Sequence, residues 1–312
     1  MQSKKALVLL NMGGARNKDE LKMFLTNMFN DKNILTIKSN LLRKIIAYFI
    51  TTKRLDEAWK NYEHIGNQSP INPLTEKLIA KCNEKLSDYK TYQVMRYTPP
   101  FAQDVIKEIL EDKPNEIILL PLYPQYSTTT TKSSVEDFID FLPYSFGNSI
   151  RYIEHFYKNE KFNNLIVDEI VKTANSEENS INLVFSAHGL PQKIVDNGDP
   201  YEVQMIEHVE ILKNILEKKG VNFKSIHLAY QSKVGPMKWL EPSLDDKLKE
   251  FKNEKVIIYP LAFIIDNSET DFELAIEYKI IANNLGIEDY RVCKCVNDSD
   301  EFVDVIKNII EA

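Results

Sequence analysis

Six short runs dominated by Val, Ile and Leu constrain this chain more than any other feature: ALVLL at 6–10, YQVMRY at 92–97, EIILLPLY at 116–123, INLVFSA at 181–187, SIHLAY at 225–230 and KVIIYPLAFI at 255–264. Runs this apolar do not alternate between a wet and a dry face, so they read as buried strands of parallel sheets. Amphipathic stretches lie between them, at 72–87, 101–110, 201–219, 268–284 and 299–311, with apolar residues three and four apart. Strands alternating with helices predict a doubly wound α/β architecture. The strands form two sets, one ending near Tyr123 and one starting near Tyr152, parted by a polar Ser/Thr-rich stretch and the turn-forming FLPYSFGNS at 141–149. Two Rossmann-like domains are expected, 1–150 and 151–312, although no strict sequence repeat relates them.

A chain of 312 residues, 43% hydrophobic and 27% charged, is long enough for such cores. A net charge of −7 speaks against a basic nucleic-acid footprint. Cys82, Cys293 and Cys295 are too few for a disulfide framework and suit a reducing compartment. MQSKK runs straight into ALVLLNM without the parts of a signal peptide, so a cytoplasmic protein is expected. The nearest approach to a bilayer-spanning run, Leu41–Ile50, is interrupted by Arg43 and Lys44 and falls short of the roughly 20 residues needed.

Ligands of open α/β sheets bind beyond the carboxyl ends of the strands, which makes the residues after each run the candidate site. These are Asn11-Met12-Gly13-Gly14, Pro124-Gln125-Tyr126-Ser127, His188-Gly189-Leu190-Pro191, Gln231-Ser232-Lys233-Val234-Gly235-Pro236 and Asp266-Asn267-Ser268-Glu269. His188 stands uncrowded between Ala187 and Gly189 and suits either metal binding or proton acceptance near neutral pH, the bland alternative being a capping or core histidine. Asp266, Glu269, Glu273 and Glu277, spaced three, four and four, fall along one helical face. Such a row is a solvated acidic face or, at a strand exit, a collector of divalent cations or a proton relay. Gly13-Gly14 lacks both phosphate-loop fingerprints and reads as a tight turn or a close backbone approach. Cys293-Lys294-Cys295 has no second cysteine pair with which to hold zinc or an iron–sulfur cluster.

From Ile37 to Leu55 the chain carries Lys38, Arg43, Lys44, Lys53 and Arg54 and no acid. This segment is either a core helix with snorkelling basic ends or an apolar lip with cationic margins, which would receive a flat, greasy, carboxylate-bearing ligand or touch a membrane surface.

Together these segments resemble the ferrochelatases. The resemblance is carried in order, over nearly the whole chain, by Leu10–Gly14, Gly66-Asn67-Gln68-Ser69-Pro70-Ile71, Arg96-Tyr97, Leu122–Ser127, Ser186–Pro191, Gly198-Asp199-Pro200-Tyr201, Tyr230–Met237 and Pro260 through Tyr278. It implies insertion of Fe²⁺ into protoporphyrin IX to give protoheme, by a lyase of heme biosynthesis with two Rossmann-like domains and a porphyrin cleft between them. It further implies His188 and Glu269 as the catalytic and metal-facing pair. Asp266, Glu273 and Glu277 become candidates for a proton or metal relay. Met12, Arg96, Tyr97, Tyr126, Met237, Trp239 and Phe263 would line or support the porphyrin pocket, and Lys53 and Arg54 would meet the propionates.

Asn267 stands where many members have a histidine, and Thr128–Lys132 is atypical of the family. The chain ends at Ala312 without the cysteine-rich tail of animal members, so no iron–sulfur cluster and no other cofactor is expected, iron being a substrate. The expected partners are protoporphyrin IX and Fe²⁺, with no nucleic acid; the chain is read as a monomer whose 37–55 lip reaches the inner membrane face. The alternatives are a chelatase for coproporphyrin or sirohydrochlorin, or a non-catalytic porphyrin or heme carrier.

Overall fold

The computed structural model describes residues 5–143, 149–233 and 237–312. Two compact units emerge: 1–155 together with 298–312, and 156–297. Each is built on a four-stranded sheet in which every pairing is parallel. In the first unit β1 (Lys5–Asn11), β2 (Tyr89–Met95), β3 (Ile117–Pro121) and β4 (Ile150–Tyr152) lie in the order β2-β1-β3-β4. In the second, β5 (Ile181–His188), β6 (Ser225–Gln231), β7 (Lys255–Pro260) and β8 (Asp289–Val292) lie in the order β6-β5-β7-β8. The doubly wound α/β expectation is met, strand by strand, for the six apolar runs.

The central strands are buried on both faces. Ala6, Val8 and Leu10 of β1 pack with Val94, Leu119, Ile106, Ile109 and Phe138 on one side, and Leu7 and Leu9 on the other are equally inaccessible. In the second unit Val184, Val256 and Ile258 pack against Leu244, Leu248, Leu274 and Ala282. Two of the four edge strands, β4 and β8, escaped the sequence reading because they are three and four residues long, incompletely buried, and carry Arg151, Asp289 and Arg291. Short charged edge strands are how sheets avoid unwanted pairing.

The C-terminal helix, Asp300–Glu311, belongs with the first unit, a correction to the expected boundary that put 151–312 in one domain. It buries Phe302, Val303, Val305, Ile306, Ile309 and Ile310, the Ile310 carbonyl accepts from the Arg151 guanidinium, and Asp300 faces Lys81 and Lys85 at 3.4 Å. Residues 144–148 of the expected 141–149 turn lie outside the described residues. Among the described residues no helix is long and apolar enough to cross a membrane.

Candidate active site

β5 delivers His188 to the edge of the second unit's core, opposite Gln231 at the end of β6. The turn beyond it depends on Gly189: a Cβ there would come within 2.7 Å of the Gln231 carbonyl oxygen and 3.4 Å of the Trp239 ring. The Gly189 N–H donates to that carbonyl at 2.8 Å, and the buried Tyr201 hydroxyl donates to the His188 carbonyl at 3.0 Å. The backbone under the imidazole is thereby fixed from two sides.

His188 Nδ1 lies 2.8 Å from Glu269 Oε2. The two side chains keep 39% and 29% of their surface accessible, so the pair faces open space instead of core. Glu269 opens a π-helix that runs to Glu277 and then continues as an α-helix over Tyr278–Leu285, where a single α-helix is expected from the sequence. The wider winding is visible in the Tyr278 N–H, which donates to the Glu273 carbonyl five residues back. Its first turn is set by Asn267, whose side-chain oxygen accepts from the Glu269 N–H at 2.8 Å. The residue that replaces the family's frequent histidine thus acts here as a cap.

Glu273 joins the pair through two groups at the end of β6. Ser232 Oγ donates to Glu269 Oε2 at 3.1 Å and to Glu273 Oε2 at 2.7 Å, and Gln231 Nε2 reaches the same two oxygens at 3.2 and 3.4 Å. Burial by itself disfavours the charged imidazole of His188, but the Glu269 charge and hydrogen bond, aided by Glu273, more than offset it and push its pKa up to about 8. Burial likewise disfavours the Glu269 carboxylate, yet His188, Ser232 and Gln231 together bring its pKa below the ordinary carboxylate value. Glu273 goes the other way: burial, then the neighbouring Glu269 charge, push it up to about 7. Two carboxylates on one helix are thus driven apart in proton affinity, the pattern of an acid/base site.

The rest of the acidic row divides. Glu277 is exposed at the far end of the π-helix. Asp266 is buried and turned to a different set of groups: it accepts from Asn297 Nδ2 at 2.9 Å and the Cys295 N–H at 3.2 Å, with Lys294 Nζ at 3.3 Å. It precedes the helix and therefore does not share the face of Glu269 and Glu273. Cys293 and Cys295 are buried free thiols. Among the described residues no group of three or more His, Cys, Asp or Glu is arranged around a metal position; the His188–Glu269 pair offers two donors.

In the first unit, Gly13 (φ +89°) follows β1 where a Cβ would meet Thr98 Oγ1 at 2.2 Å, so the turn is a close backbone approach. Half-buried Met12 precedes it. Arg96 is fully engaged: Nη2 to Asp31 at 3.1 Å, Nη1 to Asp137 at 3.0 Å and Nε to Ser133 Oγ at 2.9 Å. Tyr97 is 1% exposed and its hydroxyl donates to Asp31 at 2.9 Å, so its side chain is placed to support a pocket wall and not to line it. A cavity of about 300 Å³ opens beside this cluster, lined by Asn30, Asp31, Arg96, Phe101 and Asp137 among others. Tyr126, Trp239 and Phe263 are half-buried, and Met237 is exposed. Val234-Gly235-Pro236, between Ser232 and Met237, lie outside the described residues.

The basic segment is a helix, Asn40–Glu63. Leu41, Ile45, Tyr48 and Phe49, at three- and four-residue spacing, form an exposed apolar stripe, with Phe49 67% and Leu41 72% accessible. Lys53 is exposed, and the Arg54 guanidinium lies 5.9 Å from the Phe29 ring centre. The core-helix alternative is therefore out for this stripe; the opposite face, with Ala47 and Thr51, is the buried one.

Gln231 and Ser232 stand in the strand-exit site read from the sequence but are given no individual role there, and Ser186, Asp31, Asp137 and Ser133 are given none either. Only Gln231 and Ser232 carried a signal, their place directly after a buried strand.

A family model of the ferrochelatases matches residues 4–312. The chain is 51% identical over 309 residues to a ferrochelatase from Sulfurimonas denitrificans, covering 98% of each chain. It is 51% identical over 310 residues to a ferrochelatase from a Nitratiruptor species, covering 98% of this chain and 99% of that one. Among solved structures it is similar to SirB from Bacillus subtilis, solved with Fe³⁺, at a TM-score of 0.56 and 11% identity over 99% of this chain and 94% of that one. CbiX, the terminal enzyme of siroheme biosynthesis in denitrifying bacteria, superposes with a TM-score of 0.53 and 11% identity over 99% of this chain and 98% of that one. Those two likenesses show the chelatase fold. With the family model spanning both units and relatives at half identity over nearly full length, this chain belongs to the ferrochelatase family, the metal-inserting lyases of heme biosynthesis.

Proposed function

We propose that the protein inserts Fe²⁺ into protoporphyrin IX, with His188 and Glu269 as the groups that act at the metal and at the departing protons. The observation that carries this reading is the 2.8 Å contact between His188 Nδ1 and Glu269 Oε2 beside a second carboxylate with a pKa near neutrality. Insertion exchanges two pyrrole N–H protons for one ion, so the site must accept two protons for each Fe²⁺ it passes. An ionised Glu269 accepts a hydrogen bond from the Nδ1–H of the neutral imidazole, which leaves the lone pair on Nε2, the nitrogen then able to accept a pyrrole proton. Glu273 supplies a second acceptor near pH 7, and exposed Glu277 continues the row toward water; we assign the relay to these two residues.

Two propionates and an apolar rim distinguish protoporphyrin from the four-propionate coproporphyrin. The apolar stripe Leu41, Ile45, Tyr48 and Phe49, with Lys53 and Arg54 following, fits the former. Binding energy from such walls is available to bend the macrocycle and tilt the nitrogen lone pairs toward the ion. Anaerobic turnover with Fe²⁺ decides the matter: a higher kcat/KM for protoporphyrin supports the reading, a preference for coproporphyrin reassigns the substrate, and binding without turnover makes the protein a carrier. The joint substitution Lys53→Gln and Arg54→Gln is expected to raise the porphyrin KM with kcat at saturation largely kept, the pattern of lost uniform binding. Unchanged KM with weaker binding to anionic liposomes would instead make the stripe a peripheral membrane contact.

A further inference from the structure

Ser186 is inaccessible on β5, two residues before His188, so both side chains stand on the same face of the strand. Gln231, 1% exposed, pairs in register with His188 on the neighbouring strand. The Ser186 hydroxyl donates to Gln231 Oε1 at 2.7 Å. At its other end, Gln231 Nε2 meets Glu269 Oε2 at 3.2 Å and Glu273 Oε2 at 3.4 Å. An ionised carboxylate only accepts hydrogen bonds, so the NH₂ end must face the glutamates and the carbonyl end must find a donor elsewhere. Ser186 is that donor. Without it the Gln231 carbonyl would be a buried acceptor lacking a partner, and the amide would lose what holds its direction.

The second support, Ser232, has a different footing. It touches the same two carboxylate oxygens from a residue with φ +65°, just past the strand, so its placement depends on a backbone conformation that L-residues seldom adopt. The Ser186–Gln231 contact joins two regular strands in parallel register and needs no such conformation.

We propose that Ser186 is a positioning residue for metal insertion: through Gln231, its hydroxyl fixes the side-chain amide that holds the Glu269 and Glu273 carboxylates together beside His188. The proposal rests on the reading of the His188–Glu269 site given above.

The test uses Ser186→Ala, Gln231→Met and the double variant, each checked by thermal melt. In the free wild-type protein, the side-chain amide resonances of Gln231 should be displaced from those of a free glutamine and exchange slowly with water. Ser186→Ala should move them toward free-glutamine positions and speed their exchange. For insertion, Ser186→Ala should lower kcat about tenfold with the porphyrin KM kept within about twofold, and the double variant should fall no lower than Gln231→Met alone, since both act through one amide. Ser186→Cys, which keeps the volume with a weaker donor, should lie between wild type and Ser186→Ala and serves if the alanine variant does not fold. Unaltered Gln231 amide resonances in Ser186→Ala would overturn the proposal whatever the activity, and so would losses that multiply in the double variant. Absence of iron insertion by the wild type would overturn the catalytic reading instead, and the resonances would still decide the role of Ser186.

Discussion

The exits of the third strands differ in one respect that matters. Both units set their strands in the order second, first, third, fourth, and both follow the third strand with a π-helix, Thr128–Lys132 in one and Glu269–Glu277 in the other. In the first unit that helix presents hydroxyls, with Ser127 and Thr129 bonded to each other at 2.9 Å, and the two neighbouring carboxylates, Asp31 and Asp137, face the guanidinium of Arg96, a cation that keeps its charge throughout the physiological pH range. In the second unit, Glu269 and Glu273 face one imidazole and two neutral donors, so the cation set against the two carboxylates is one that titrates near neutrality. A cluster built on a permanent cation stabilises the fold; one built on an imidazole has protons to exchange near neutrality. The same topology was thus given structural work at one exit and chemical work at the other.

The largest break of this contrast should come from His188→Ala, which removes the only cation facing the two glutamates in the second unit's cluster. We expect a folded, porphyrin-binding protein with insertion lowered at least about a thousandfold, roughly 4 kcal/mol of barrier; retention of activity within about tenfold would remove His188 from the chemistry. Glu269→Gln should approach this loss, while Glu277→Gln, exposed at the far end of the π-helix, should cost little. Equal losses at 269 and 277 would mean that the row acts only as a field. The pH dependence follows from His188: with its pKa pushed up to about 8, the imidazole is mostly charged at pH 7 and becomes a proton acceptor as pH rises, so kcat/KM should climb toward a plateau above about 8. In Glu269→Gln the group that lifts this pKa is gone, and whatever activity remains should show its rise at lower pH.

The guanidinium cluster should respond in stability. Asp31 is buried and accepts from Arg96, Tyr97 and Ser133 through one oxygen, so Asp31→Ala leaves a half-buried guanidinium and two hydroxyls without their acceptor. Breaking one side of such a pair costs about 3 kcal/mol, and the melting temperature should fall by several degrees at neutral pH. A change smaller than about 1 kcal/mol would show that Asp137 alone satisfies Arg96 and that the first unit's cluster is not what holds that exit together.

Much of this contrast was legible in the sequence and part was not, for identifiable reasons. The central strands β1, β3, β5 and β7 announce themselves because a parallel strand covered on both faces must be apolar nearly throughout, and the edges β2 and β6 are long enough to show apolar runs, whereas β4 and β8 are edges of three and four residues whose Arg151 and Arg291 hide the pattern. His188 and Glu269 were visible as chemistry-bearing residues at strand exits, and family resemblance paired them. Spacing and the family resemblance both grouped Asp266 with the row, and the spacing argument assumes α-helical winding from its first residue; Asp266 lies before the helix and turns to Asn297. Asp31 and Ser133 meet Arg96 from positions 65 and 37 residues away, and no local period encodes such a meeting. Nor does any pattern show that a buried serine on β5 orients a glutamine on β6.

The smallest expected effect is also the sharpest, because its sign is opposite to that of Asp31→Ala. Glu273 has its pKa pushed up from an ordinary 4.5 to about 7 by burial and by Glu269. The folded protein therefore holds this proton more tightly than the unfolded chain does, and the resulting stability is fully present below about pH 4.5 and lost as pH rises through about 7. Above that, an ionised Glu273 opposes Glu269 inside the folded state. Glu273→Gln keeps the shape without the charge, so it should melt higher than wild type at pH 8, by on the order of 1 kcal/mol given that water reaches part of the cluster, and the advantage should vanish near pH 4. The same variant should insert iron more slowly, since the second proton acceptor is gone. A stabilised protein with unimpaired turnover would place Glu273 outside the relay, and a destabilised one would make the second unit's cluster as structural as the first's.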